Sequence, residues 1–252
     1  MPEDGAADAI LGGRLRLRQM RAGHRVGLDA VLLSAAAGAP ARNIVDVGAG
    51  VGAVGLALLT RWPESRADLV EIDPALAALA RKNARLNEVS ERVRVIEGDV
   101  LEASELRAGG LSGGEADLVV TNPPFFEACA VRASPDPTRA RAHVLARGAG
   151  EGDALQAWIV AALALLAPGG RFQMIHRPDA LPRILAAFGR RLGAVAVRPV
   201  HPRSDADAIR VLVGGIKGSK APLCILPGLV LHEASGAFTP LAEALHRGDA
   251  FL

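Results

Sequence analysis

Hydrophobic and polar positions repeat at two different periods along the chain, and the order of those periods sketches a layered α/β protein. Arg14-Leu-Arg-Leu-Arg18 alternates residue by residue, as a half-exposed strand does, with its arginines on one face. The small, polar residues 1–13 ahead of it are expected to be mobile. Leu28 to Ala37 reads as a short helix with Asp29 in its first turn. From Asn43 the chain settles into strand, turn and helix, repeated. Short apolar runs at Ile44–Val47, Ala67–Ile72, Val93–Ile96, Leu118–Thr121 and Arg171–His176 have the length of buried strands. Helical spacing fits Ala53–Thr60, Pro74–Leu86, Asp153–Leu166 and Pro182–Arg190. Pro74 takes a first-turn position behind Asp73 as N-cap, and Pro168-Gly-Gly170 stops the longest helix. Ala194–Arg198 and Ile209–Gly214 supply two last strands.

Repeated βα units place their strands in parallel and their helices on both faces of the sheet. The expected architecture is therefore a doubly wound, Rossmann-like sheet of seven mostly parallel strands. It forms a single domain over residues 1–252. Residues 1–40 make an N-terminal strand and helix extension, and 41–252 the core, with a flexible loop near 127–152.

Composition narrows the class only slightly. Half of the 252 residues are apolar, enough for a substantial core, while aromatics amount to 3% and tyrosine is missing. Each Phe or Trp beside a motif thus carries more weight. Cys129 and Cys224 are lone thiols without metal-ligand spacing, so no metal site and a reducing compartment are expected. The first residues lack a basic stretch leading into an apolar one. The longest apolar run, Leu155–Ala167, contains Gln156 and is too short to span a bilayer. A soluble cytoplasmic protein with no membrane contact is the expectation.

Candidate chemistry begins at Asp46-Val-Gly48-Ala-Gly50-Val-Gly52. Glycines at alternate positions let the backbone approach a ligand closely, and Glu71 follows about twenty residues later, where a carboxylate can accept both ribose hydroxyls. Gly50-Val-Gly52-Ala-Val-Gly55 also satisfies the dinucleotide fingerprint, so NAD is one reading. Asp46 favours another. A pyrophosphate has little use for a carboxylate inside the strand, whereas the ammonium group of S-adenosylmethionine can face one directly or through water. Asp99, after the third core strand, can accept from an adenine amine or close a Gly98-Asp99 turn.

Asn122-Pro123-Pro124-Phe125 ends the fourth core strand. An exocyclic base amine or a carboxamide is a poor nucleophile because its lone pair is delocalised. Acceptors placed where its two N–H groups point as nitrogen pyramidalises would help, and the Asn122 side-chain oxygen and Pro123 carbonyl suit that task. Phe125 can stack on the planar group, which in nucleic acid would be a base turned out of its stack. A general base is not required before transfer. In isolation the tetrad is also compatible with a turn carrying a core Phe.

Taken together, Asp46–Gly52, Glu71, Asp99 and Asn122–Phe125 resemble the class I methyltransferases with an Asn-Pro-Pro-aromatic motif, which modify adenine N6, guanine N2 or a glutamine side chain. Leu11-Gly-Gly-Arg14-Leu-Arg-Leu and Gly23-His-Arg25-Val-Gly-Leu-Asp29-Ala-Val-Leu-Leu33 are similar to the amino-terminal signature of the bacterial valine-tRNA adenine-N6 methyltransferase family. Ala167-Pro-Gly-Gly-Arg171 and the tail from Leu226 through His232 to Phe238 fit the same family. The resemblance implies S-adenosylmethionine as cofactor, S-adenosylhomocysteine as product and transfer RNA as partner. It implies a cofactor site of Asp46, Gly48, Ala49, Gly50, Gly52, Glu71, Ile72, Asp99, Val100 and Asn122. The catalytic set would be Asn122, Pro123, Pro124 and Phe125, with Phe125, Phe126, Arg139 and Arg141 holding the substrate. A glutamine or guanine-N2 methyltransferase, and a cofactor-binding protein without turnover, remain alternatives.

Charge placement is compatible with an RNA partner. Net charge is only +2, yet Arg171 to Lys220 holds ten Lys/Arg against three Asp/Glu. Arg14, Arg16 and Arg18 would add a second basic strip able to track phosphates. A solvated arginine-rich surface would look the same. Residues 127–152, with Arg132, Arg139, Arg141, His143 and Arg147, follow the tetrad directly and are expected to close over the substrate.

Overall fold

The computed structural model of the chain describes residues 7–20, 27–124 and 151–252. Strands β3 (Asn43–Val47), β4 (Arg66–Glu71), β5 (Val93–Glu97), β6 (Ala116–Thr121) and β7 (Leu166–His176) lie parallel in the order β5-β4-β3-β6-β7. Beyond β7 the sheet continues with β9 (Arg210–Lys217), antiparallel to both of its neighbours, and β8 (Leu192–His201) outside it. These are the seven strands the hydrophobic pattern marks. Two short pieces, β10 (Cys224–Ile225) and β11 (Leu229–Val230), pair with the outer edge of β8 and bring the sheet to nine strands. Their two-residue length is below what periodicity can register.

Alternation along the strands sends successive residues to opposite faces. Leu118 and Val120 of β6 join one apolar cluster, while Val119 between them joins the other. The first face is covered by α1 (Leu28–Ala35), α2 (Ala53–Arg61) and α3 (Pro74–Leu86), with Leu32, Leu33, Leu56 and Leu58 buried. On the second face lie α4 (Ala103–Ala108), α5 (Glu151–Leu165) and α6 (Leu181–Phe188), contributing Leu106, Leu155, Ile159 and Ile184. Phe188 meets Phe172 of β7 edge to face at 5.5 Å. Each such buried ring contributes about 1.5–3 kcal/mol relative to leaving it in water.

Helix α3 starts where the sequence places it. Asp73 caps it, accepting from Ala75 and Leu76 N–H groups at 2.7 and 3.2 Å, ahead of Pro74. The end of α5 differs from expectation. Helix gives way to strand at Leu166, five residues before the strand start at Arg171 that the sequence suggests. Pro168-Gly-Gly170 is thus inside β7, where the register against β6 shifts between Ala116 and Leu118. Such an irregularity leaves Pro168 without a ladder bond to make. Helices α4 and α7 (Pro240–Arg247) were not foreseen. α4 is only six residues long, and α7 lies beyond the last strand, where no βα repeat calls for a helix.

The amino-terminal expectation also needs correction. Residues 7–13 are ordered: β1 (Asp8–Ile10) pairs antiparallel with β2 (Leu15–Leu17), and Leu11 between them is 1% exposed. Two asparagines one turn apart, Asn83 on α3 and Asn87 capping its end, hold this hairpin down. Asn83 accepts from Arg18 N and donates to the Arg18 and Val51 carbonyls, while Asn87 accepts from Arg16 N and donates to its carbonyl. Their amides bond the edge of the hairpin that β1 leaves open. Arg14, assigned to a basic strip, instead bonds the Gly248 carbonyl and pairs with Asp249 at 2.6 Å. Among the described residues no helix is long and apolar enough to cross a membrane.

Candidate functional site

The order of the sheet reverses between β3 and β6. The chain leaves β3 toward β4 on one side, and β6 was reached by crossing back over to the other. Ligands of open α/β sheets bind at such a switch point, beyond the carboxyl ends of the strands. Val47 of β3 is in register with Thr121 of β6. Gly48 and Asn122 therefore leave the sheet side by side, and the glycine turn and the Asn-Pro-Pro segment share one crevice.

The turn is held by its own backbone and by Glu71. Gly48 and Ala49 N–H groups both reach the Val70 carbonyl at 2.9 Å, and Gly52 N–H reaches Ala49 at 2.8 Å. Gly48, Gly50 and Gly52 all have positive φ, the conformation for which glycine is needed. Gly48 has a second constraint. A Cβ there would sit 2.9 Å from Cζ2 of Trp158 on α5. At the tip of β4, Glu71 accepts from Gly50 N–H at 2.7 Å through Oε2 and from Asp73 N–H at 2.9 Å through Oε1. It is 7% exposed, and burial raises its pKa against those hydrogen bonds.

Asp46 is deeper still, 2% exposed on β3. Burial pushes its carboxyl from 3.8 up to about 7, opposed by the Gly55 N–H of α2 at 2.8 Å and reinforced by the charge of Glu71. Two neighbouring carboxylates at the switch point, both raised, form a site that gains from a cation. S-Adenosylmethionine, with an ammonium and a sulfonium, meets that demand, whereas a dinucleotide would add phosphate charge of the same sign.

Farther along the crevice, Ile72 is 43% exposed directly after Glu71, an apolar surface suited to an adenosine face. Val100 is buried. Asp99 closes the turn that the sequence offered as its alternative role, with Oδ1 accepting from Leu101 N–H at 2.9 Å and its own N–H donating to Glu105. Asn122 is half-buried, Pro123 buried and Pro124 exposed. Phe125, Phe126, Arg139 and Arg141, with residues 127–150 of the expected loop, lie outside the described residues; Glu151 and Gly152 belong to α5. Asp29 pairs with Arg210 of β9 at 3.0 Å.

Sequence reasoning missed Thr121 and Trp158. The Thr121 hydroxyl, wholly buried, donates to the Val47 carbonyl at 2.8 Å and accepts from the Trp158 indole N–H at 3.0 Å. With so few aromatics in the chain, a tryptophan in the helix that the hydrophobic pattern marks at Asp153–Leu166 was the available signal. The depression of about 450 Å³ between Arg42, Asp117 and Arg171 opens at the other, amino-terminal end of β3 and β6 and takes no part in this crevice.

Comparison with known proteins agrees with this geometry. A family model described as "Methyltransferase small domain" matches residues 28–135. A tRNA1(Val) (adenine(37)-N6)-methyltransferase of Porphyromonas gingivalis is 34% identical over 229 residues, covering 86% of this chain and 84% of the relative. The enzyme of that name from Aeromonas hydrophila is 33% identical over 222 residues, 87% of each. A solved structure, titled as a predicted O-methyltransferase from Agrobacterium tumefaciens, superimposes with a TM-score of 0.73 at 33% identity, covering 89% of this chain and 98% of that one.

Proposed function

The chain belongs to the tRNA1(Val) (adenine(37)-N6)-methyltransferase family, and from that premise we propose that its acceptor is the adenine 3′ of the anticodon in a valine transfer RNA. It is an S-adenosylmethionine-dependent N-methyltransferase acting on adenine N6 in RNA. A transfer RNA acceptor fits an enzyme that works in the cytoplasm. The observation that carries the assignment is the register of β3 against β6, which sets Gly48 beside Asn122.

When bound, S-adenosylmethionine supplies a methyl group on a sulfonium, ready for in-line attack. The chain supplies position and charge. Asp46 would hold the cofactor ammonium, one of its carboxylate oxygens already accepting from Gly55 N–H. Glu71, already bound to two backbone N–H groups, has lone pairs left for the ribose hydroxyls. Ile72 and Val100 would hold the adenine, and Asp99 would accept from its amine. On the acceptor side, Asn122 Oδ1 and the Pro123 carbonyl receive the two N6–H bonds and turn the nitrogen lone pair toward the methyl group. Phe125 stacks on the target base, while Phe126, Arg139 and Arg141 hold the flanking RNA. After transfer the nitrogen is acidic and loses a proton to water. An oxygen acceptor would ask for a general base, whereas Asn122 and Pro123 offer acceptors only.

Asn122→Ala tests these roles. Methyl transfer to transfer RNA falls by about a hundred-fold or more, the scale of losing oriented attack, with S-adenosylhomocysteine affinity kept by thermal shift. Parallel loss of both would make the tetrad structural and overturn its catalytic assignment.

A further inference from the structure

Asn122 and Gly48 belong to different strands, different loops and different halves of the chemistry, yet methyl transfer needs them fixed to each other within a fraction of an ångström. One side chain lies between them. Thr121, immediately before Asn122, carries a hydroxyl that donates to the carbonyl of Val47, immediately before Gly48, at 2.8 Å. The same oxygen accepts the Trp158 indole N–H at 3.0 Å. The ring of Trp158 then fills the space above Gly48 where a side chain would otherwise begin, 2.9–3.0 Å from the ideal Cβ position. Thr121 is fully buried, so water does not compete for either bond.

We propose that Thr121 and Trp158 are positioning residues for methyl transfer, fastening the strand end that presents the acceptor nitrogen to the strand end that presents the methyl group. The inference rests on the methyltransferase reading of the crevice. Ladder bonds between parallel strands run from the backbone of one to that of the other. The threonine hydroxyl adds a side-chain bond across the last registered pair, Val47 and Thr121, at the point where the two strands end. A valine, otherwise the natural residue for a buried strand, could not. The indole fixes the direction of the hydroxyl proton: with its lone pair engaged by Trp158 N–H, the O–H is left to point at Val47. Trp158 also extends the fastening to α5.

The arrangement separates two outcomes that are usually confounded. Cofactor affinity depends on Asp46, Glu71 and the glycine turn, which keep their own bonds. The distance between methyl group and nitrogen depends on the Thr121 bridge. Thr121→Val, of the same shape, should lower kcat for methylation of unmodified transfer RNA about ten-fold or more, as sub-ångström misplacement does. KM for transfer RNA and S-adenosylhomocysteine affinity should stay within about two-fold. Thr121→Ser, which keeps the hydroxyl, should restore kcat to near wild type. Trp158→Phe, which keeps a ring over Gly48 but loses the N–H, should fall between them, and the double variant Thr121→Val/Trp158→Phe should be no slower than Thr121→Val alone. A thermal shift with S-adenosylhomocysteine confirms that each variant is folded with its cofactor site formed.

An unchanged kcat in Thr121→Val, an equal fall in Thr121→Ser, or losses that multiply in the double variant would each overturn the proposal. So would a loss of rate matched by a loss of cofactor affinity, since that is what general loosening of the fold produces. Wild type is read first on the same transfer RNA. Failure there overturns the substrate assignment, whereas a normal wild-type rate with an unaffected Thr121→Val overturns the positioning role alone.

Discussion

Replacing Asp46 by asparagine should make the cofactor-free protein more stable at neutral and alkaline pH while weakening its grip on the cofactor. Burial raises this carboxyl from 3.8 to about 7. The folded state therefore holds the proton more tightly than the unfolded state between those values. The stability this gives is fully present below about pH 4 and is lost as pH rises through about 7, after which the curve is flat. At about 1.4 kcal/mol per pH unit the whole effect is on the order of 4 kcal/mol, an upper bound because the Gly55 N–H and local relaxation soften the cost of the charge. Asparagine keeps the shape and an oxygen for Gly55 but never ionises. Urea unfolding of both proteins from about pH 5 to 8 reads the difference, with Glu71, raised in the same direction, present in each. The wild type should lose stability across this range and the variant much less, with the curves diverging as pH rises. Cofactor binding has the opposite slope. An ammonium pairs with the carboxylate and not with the acid, so wild-type affinity for S-adenosylhomocysteine should rise by up to about ten-fold per unit as pH approaches 7. Asp46→Asn should bind weakly with little pH dependence. Parallel stability curves for the two proteins, or an unchanged cofactor affinity in the variant at pH 7.5, would refute the placement of Asp46 as the ammonium ligand.

The glycine turn offers a matched pair. Gly48→Ala meets both a positive φ and the Trp158 ring, whereas Gly50→Ala meets the positive φ with open space around it. The left-handed conformation alone costs about 1–2 kcal/mol, so Gly48→Ala should lower the melting temperature clearly more than Gly50→Ala; equal shifts would remove Trp158 as a constraint. Arg139→Glu with Arg141→Glu should weaken transfer RNA binding and leave S-adenosylhomocysteine binding intact, as a filter-binding assay across salt concentrations can read. An RNA affinity unaffected by the pair would exclude these two arginines from the RNA contact.

Much of the fold was legible because a buried parallel strand announces itself twice, by an apolar run and by the turn chemistry that ends it. Ile44–Val47 followed by alternating glycines, and Ala67–Ile72 followed by Asp73-Pro74, each fixed a strand, a turn and a helix start together. Legibility failed where support comes from elsewhere in the chain. Asp8–Ile10 pairs with β2, and β2 is in turn held through Arg16 and Arg18 by Asn87 and Asn83, some seventy residues away, which no local pattern announces. Arg14 was assigned to a basic strip because its partner, Asp249, lies at the far end of the sequence. The strand start at Leu166 was hidden by Pro168-Gly-Gly170, residues that usually close a helix and here pass through a register shift. For the site, the motif residues were visible as letters, since Asp46, the glycines, Glu71 and Asn122 are recognisable by type and spacing. The bonds that adjust them to one another were not. Thr121 and Trp158 look like an ordinary strand residue and an ordinary helix residue until the strands are laid side by side.

The central claim is tested most directly by incubating the protein with labelled S-adenosylmethionine and, separately, unmodified transfer RNA, ribosomal RNA and cell protein, then identifying the methylated product by mass spectrometry. The account predicts label in transfer RNA, recovered as N6-methyladenosine in the anticodon-loop fragment of a valine acceptor. Label in protein as methylglutamine, or N2-methylguanosine in either RNA, would contradict it.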